Sequence, residues 1–273
     1  MQESQADDVI NKQLSLFKIS KNETYDKLIQ KENEFINKSA HKLNRSPIEV
    51  QLRWIKELAL QKYEISEDNV RILITLITSF FRKHLLSAGY EKAGIKAVIT
   101  KFRDAGRRSG PWKQASSRIA GIPQDGDDGN RRRRWDFETD HKFYANNVDA
   151  TLVEVKYFLQ TLSMAGAPSL PVNSIQESFI WLLDHPIEPG MYLDPIQLIP
   201  IEFPQFINNP KYRKSIQSGH LIPLKRGGRH KPDNTFLMLE RSNQIQGDQT
   251  LEELLELMER VVRSYQEKRQ NNK

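Results

Sequence analysis

At 273 residues the chain is long enough for one large domain or two ordinary ones, and its 38% hydrophobic and 28% charged content suits a folded protein rather than a disordered one. It has no cysteine, which excludes disulfides, catalytic thiols and thiolate zinc sites, so any metal must be held by oxygen or imidazole. Net charge is +6 and pI about 9.3. Mean hydropathy is −0.64. The most apolar run, residues 72–81, is about half the length of a membrane span and is flanked by Arg71 and Arg82, so it predicts a buried helix and no membrane association. The polar N-terminus (MQESQADD) does not read as a secretory signal, and the expected compartment is the cytoplasm.

The first half reads as helical. Ser46-Pro47-Ile48-Glu49 has the form of a capping box with Pro at the first helical position, opening an apolar pattern through Trp54, Ile55 and Leu58. A second helix is expected to start between Ser66 and Asn69, to carry Val70, Ile74, Ile77 and Phe81, and to stop at Gly89. A third is expected over residues 91–104. Residues 106–135 lose this periodicity to Gly, Pro, Ser and Asp. A fourth helix fits residues 149–165, with Leu152, Val155, Phe158, Leu159 and Leu162 on one face. Proline and glycine then punctuate residues 167–210, which predicts a junction between a helical region (1–190) and a C-terminal module (191–273).

The module changes character. Strand-like runs at residues 216–224 and 235–239 enclose a Gly-rich loop, a short helix is expected over 241–246, and a long amphipathic one follows. That last helix has its own capping box, Thr250-Leu-Glu-Glu253, and an apolar stripe of Leu251, Leu254, Leu255, Met258, Val261 and Val262. The fold class is therefore α+β.

Basic charge is concentrated. Residues 101–134 hold ten Lys/Arg against four Asp, a net of +6, and residues 211–231 hold seven Lys/Arg and no acid. Two such segments suggest a polyanion partner, although basic stretches are often only solvated loops.

The informative string is SGHLIPLKRGGRHKPDNTFLMLERSNQIQGDQTLEEL, residues 218–254. His220, Pro223, Gly227-Gly228, Asn234, and Asn243 with Gly247 follow one another in the order and spacing of the HNH (ββα-metal) nuclease family. The chain resembles that family over roughly residues 194–265, with the segment from Asp194-Pro195 to Phe203 similar to a leading hairpin found in some members. The resemblance implies that His220 is the general base that deprotonates the attacking water. It also implies that Asn234 orients the base region, and that Asn243 is a neutral-oxygen ligand to Mg²⁺, or Mn²⁺ in its place. Many members carry an acidic metal ligand just before the base histidine. Here that position is Gly219, which leaves Ser218, Gln217, Asp194 and Glu202 as alternatives for a second ligand.

Taken singly, His220 would be a structural strand-end histidine, Asn234 a turn residue in Pro-Asp-Asn, and Asn243 a helix cap. Lys225, Arg226, Arg229 and Lys231 surround the Gly-Gly loop and are expected to contact phosphates of double-stranded DNA, as are Arg107, Arg108 and the run Arg131, Arg132, Arg133 and Arg134 beside Trp112 and Trp135. His230 reads as a DNA-backbone contact or as solvent-exposed, and His41, His84, His141 and His185 as structural. The implied activity is a metal-dependent DNA endonuclease, foremost a type II restriction enzyme of bacterial defence. The alternatives are a nicking, homing or effector nuclease and a DNA-binding protein with an inactive HNH fold. No phosphate-binding GxxxxGK[ST] loop occurs, so no nucleotide cofactor is expected. A homodimer follows only from the mechanism, because one such site cuts one strand.

Overall fold

The computed structural model describes residues 47–105, 138–141, 144–171 and 174–271. Helices come first: α1 (Ile48–Ala59), α2 (Glu67–Ser87), α3 (Lys92–Ala105) and α4 (Asn147–Leu162). Short helices α5 (Ile180–Leu183), α6 (Phe203–Asn208) and α7 (Pro210–Ser215) lead into strand β1 (Ile216–His220). Then come β2 (Thr235–Leu239), α8 (Glu240–Gln246) and α9 (Leu251–Asn271). The class is α+β, mostly helical, with one two-stranded antiparallel sheet among the described residues. None of the described helices is long and apolar enough to cross a membrane.

Local chemistry accounts for the helix ends. Ser66 caps α2, its Oγ accepting from Asn69 N at 3.2 Å, and Asn146 caps α4 by accepting from Asp149 N at 2.7 Å. Helix α4 thus begins two residues earlier than the apolar pattern suggests and stops at Leu162 rather than 165. At α1 the cap is Pro47 itself, with φ −51° and ψ 154° and no side-chain bond; Ser46 lies outside the described residues.

Helix α4 is the centre of the molecule. Every residue from Ala150 to Leu162 is buried, not the single face its periodicity suggests. It packs against α2 and α3 on one side and β2 on the other. The Phe158 ring lies 5.0 Å from Phe81 and 5.1 Å from Phe102, and Phe102 in turn stacks 6.0 Å from Phe206. Each such fully buried ring contributes about 1.5–3 kcal/mol of apolar burial. Residues 167–210, where proline and glycine suggest a junction, bury Leu170, Ile175, Phe179, Tyr192, Ile201 and Phe203 in this same core. The segment resembling a leading hairpin is reduced to one bridge, Leu193 to Pro200, closed by Asp194 N donating to Ile199 O at 2.8 Å.

Candidate active site

The site is assembled on the hairpin. Register pairs Ile216 with Leu239, Ser218 with Leu237 and His220 with Thr235, so His220 is the last residue of β1. The strand ends there, four residues short of the apolar run that predicts it, because Asn234 captures the chain immediately beyond. Asn234 Oδ1 accepts from Ile222 N at 2.8 Å, and its Nδ2 donates to Ile222 O at 3.0 Å and to Arg229 O at 2.8 Å. Its own carbonyl accepts from Leu221 N at 3.0 Å. One nearly buried amide therefore closes both ends of the loop between the strands.

The Gly-Gly pair has two separate reasons. Gly227 sits at φ +86°, where a side chain is strained. At Gly228 a Cβ would collide with the Ile222 carbonyl and come within 3.0 Å of Asn234 Nδ2, so glycine there is the counterpart of the Asn234 clasp. Gly219 is closely packed as well. A Cβ there would run into the Met238 sulfur and stand 2.7 Å from Phe236 Cε2. The acidic residue that many HNH sequences carry at this position would fit here only if the buried Met238 and Phe236 side chains shifted.

Strand β2 has an outer edge with no strand beside it, and buried side chains satisfy it. Leu237 N donates to Gln160 Oε1 at 3.1 Å, Leu237 O accepts from Tyr192 Oη, and Leu239 N donates to Asp194 Oδ2 at 2.8 Å. Burial is the main reason that the Tyr192 phenol is held well above its usual pKa, so it remains a donor. Asp194 also accepts from Ile196 N, Gln197 N and the Ser242 hydroxyl. Its carboxylate is thus used up in joining the hairpin to α8, which removes it from the alternatives for a metal ligand. Glu202, exposed at the start of α6, lines no part of the cleft described next.

Between the end of β1 and α8 lies a cleft of about 310 Å³, lined by Ser218, His220, Lys225, Asn243, Gln246 and Asp248 among others. Gln246 anchors it, donating to the backbone carbonyl of His220 at 2.8 Å. Ser218 Oγ is hydrogen-bonded to Tyr157 Oη from the central helix. The amide of Asn243 has a defined orientation: Glu240 Oε1 accepts from Gln217 Nε2 at 3.2 Å, which turns Gln217 Oε1 toward Asn243 Nδ2 at 2.7 Å. Because a carboxylate can only accept, the chain of amides runs one way, and Asn243 Oδ1 is the atom left over. Gln217, another alternative second ligand, is occupied as that acceptor.

The structure therefore brings His220 and Asn243 to one cleft and puts Asn234 beside the loop it clasps through Ile222 and Arg229. His230 is a correction: it is fully buried, not exposed or on a DNA-facing surface, and its ring centroid is 5.8 Å from that of His220. The Asn234 clasp turns the loop inward at Arg229-His230, which composition alone does not reveal. Of the loop cations, Lys225 pairs with Asp248 at 3.2 Å on the cleft rim, and Arg226 makes a two-pronged pair with Glu253 at 2.6 and 2.8 Å. Arg229 donates to the carbonyl of His141, and Lys231 is exposed. Arg107, Arg108, Trp112, Arg131–Arg134 and Trp135 lie outside the described residues, as does His41. His84 and His185 bind the carbonyls of Pro168 at 3.2 Å and Pro186 at 2.7 Å. Sequence reasoning overlooked Tyr157, Gln246 and Asp248. Only Asp248 carried a signal, as the acid directly after Asn-x-x-x-Gly.

Among the described residues no three His, Asp or Glu side chains form a cluster able to hold a metal. The side-chain oxygens on the cleft include Asn243 Oδ1, the Ser218 hydroxyl and the Asp248 carboxylate at its rim. Such a set fits a hard divalent ion that keeps most of its waters and borrows further oxygens from a phosphate, and it does not fit a closed zinc site.

No family model matches the chain, and no curated protein matches it. Among solved structures, the crystal structure of a type II restriction endonuclease aligns over 46% of this chain and 55% of that one, with 19% identity and a TM-score of 0.37. This chain spans about half the length of that protein. A likeness at this level says nothing about chemistry, which the side chains themselves must carry.

Proposed function

We propose that the chain is a metal-dependent DNA endonuclease of the HNH type, foremost a type II restriction enzyme acting in the cytoplasm. The observation that carries this reading is the single cleft lined by both His220 and Asn243, with Asn243 Oδ1 left over for coordination. In this reading the His220 imidazole takes the proton of the attacking water, which a histidine can do near neutral pH. Gln246, holding the His220 carbonyl, and the Asn234 clasp keep the end of β1 in place. Asn243, with Ser218 or Asp248, would hold Mg²⁺ or Mn²⁺, which supplies charge stabilisation at the scissile phosphate. In this reading Lys225 and Lys231 would neutralise flanking phosphates. Residues 191–273 are assigned the nuclease role and 1–190 DNA recognition, dimerisation or both, with Arg107, Arg108 and Arg131–Arg134 as further backbone contacts.

The test is cleavage of defined plasmids with Mg²⁺ or Mn²⁺ by the wild-type chain and His220→Ala. Discrete metal-dependent fragments that vanish in the variant are expected. Nicked circles would shift the reading to a nicking or homing enzyme, and general degradation to an effector. Gly219 favours a second reading, a DNA-binding protein with an inactive HNH fold. It predicts salt-sensitive binding with no strand breaks under either metal.

A further inference from the structure

The last helix leaves the body almost at once. Thr250 and Glu253 form the reciprocal capping box, with Thr250 N donating to Glu253 Oε2 at 2.9 Å and Glu253 N to Thr250 Oγ1 at 3.2 Å. Arg226 grips Glu253, and Leu254 is buried. Beyond Leu254 every described residue of α9 except the half-buried Leu257 is exposed. The exposed set includes Leu255 (50%), Met258 (38%), Val262 (54%) and Tyr265 (63%). A 21-residue helix is about 32 Å long. Without tertiary packing, most of such a helix is marginal in water.

The pattern says what covers it. Leu255, Met258, Val262 and Tyr265 follow the alternating three-four spacing of a coiled-coil seam, with Val261 alongside. The first half of the helix carries Glu252, Glu253, Glu256 and Glu259. The second carries Arg260, Arg263, Lys268 and Arg269 against the single acid Glu267. Two parallel copies would place like charges side by side. Two antiparallel copies place acid against base, and they match the two apolar layers, Leu255 opposite Tyr265 and Met258 opposite Val262, while at the ends Leu251 lies opposite Arg269 with Glu252 next to it.

We propose that α9 is a dimerisation helix that pairs with a second copy of itself in antiparallel orientation, with the twofold axis passing near Arg260. The pairing is independent of the nuclease reading, since association is measured without DNA. If that reading also holds, the dimer supplies the two clefts that a double-strand break requires.

The test uses the full chain in sedimentation analysis over a wide concentration series. Wild type is expected to move from monomer to dimer with rising concentration, and Leu255→Glu/Val262→Glu to stay monomeric with the circular dichroism of the dilute, monomeric wild type. Orientation is read from disulfides, because the chain has no cysteine of its own. Leu255→Cys and Tyr265→Cys chains are mixed and oxidised, and a mixed-chain disulfide is expected to dominate. A wild type that is monomeric throughout, a double variant that still dimerises, or disulfides joining two copies of the same variant in place of the mixed species would each overturn the proposal.

Discussion

Asn234 is the most informative position to perturb, because one side chain makes three bonds to the backbone on opposite sides of one loop. Replacing it with alanine removes the acceptor of Ile222 N and both donors, to Ile222 O and Arg229 O. At a net value near 1 kcal/mol each, less where water reaches the freed groups, the loss comes to about 2–3 kcal/mol. Asn234→Asp is close to isosteric yet is expected to be worse. It keeps the bond from Ile222 N but sets a carboxylate oxygen against two carbonyl oxygens, at a site only 8% exposed. Urea denaturation of the three proteins, with amide exchange followed at Ile222, measures both effects. The expected order of stability is wild type, then alanine, then aspartate, with Ile222 exchange accelerated in the alanine variant. Aspartate matching wild type, or Ile222 exchange unchanged in the alanine variant, would refute the clasp.

Two further outcomes follow from packing. His84, buried on α2 and bonded to the Pro168 carbonyl, has its pKa lowered first by desolvation. The unfolded chain therefore binds a proton that the folded chain refuses between the lowered value and about 6.5. In that window stability falls as pH falls, and above it the effect is absent. His84→Gln should flatten that part of the wild-type profile in denaturation midpoints taken from pH 5 to 8. Restoring an acid before His220 with Gly219→Asp should destabilise the hairpin by about 1–3 kcal/mol through overlap with Met238 and Phe236. Thermal melts would show it, and a variant as stable as wild type with tighter Mg²⁺ binding would contradict the packing argument.

The helices were legible because caps and periodicity act locally: Ser66, Gly89 and the Thr250–Glu253 box are all used as the pattern predicts. Strand β2 and the short α8 were also within a residue of expectation. The end of β1 was not, because residues 221–224 remain apolar and only the distant Asn234 pulls them out of the ladder. The burial of His230 follows from the same long-range clasp. Asp194 illustrates the opposite limit. A carboxylate near a suspected metal site invites assignment as a ligand, but its four acceptor bonds are made to the nearby Ile196 and Gln197 amides and to Leu239 N and the Ser242 hydroxyl, which become neighbours only after folding.

The polar residues of α4 explain how a two-stranded hairpin keeps a defined geometry. Alone, such a hairpin is at best marginally stable, and its free edge would hydrate or slip. Here Gln160 takes the Leu237 amide, Tyr157 takes the Ser218 hydroxyl, and Lys156 donates to the Pro232 carbonyl at 2.6 Å, close to Asn234. These three positions lie within one and a half turns of a helix buried on every side, where apolar residues would pack as well or better. Burying them unpaired would cost several kcal/mol, so they are tolerable only if the hairpin arrives in one register. A one-residue slip of β2 would strand Gln160 and Tyr192 together and turn Phe236 and Met238 to the opposite face. The central helix thus works as a template with three polar contacts, and the positions of His220 and Asn243 in the cleft depend on residues that never face it.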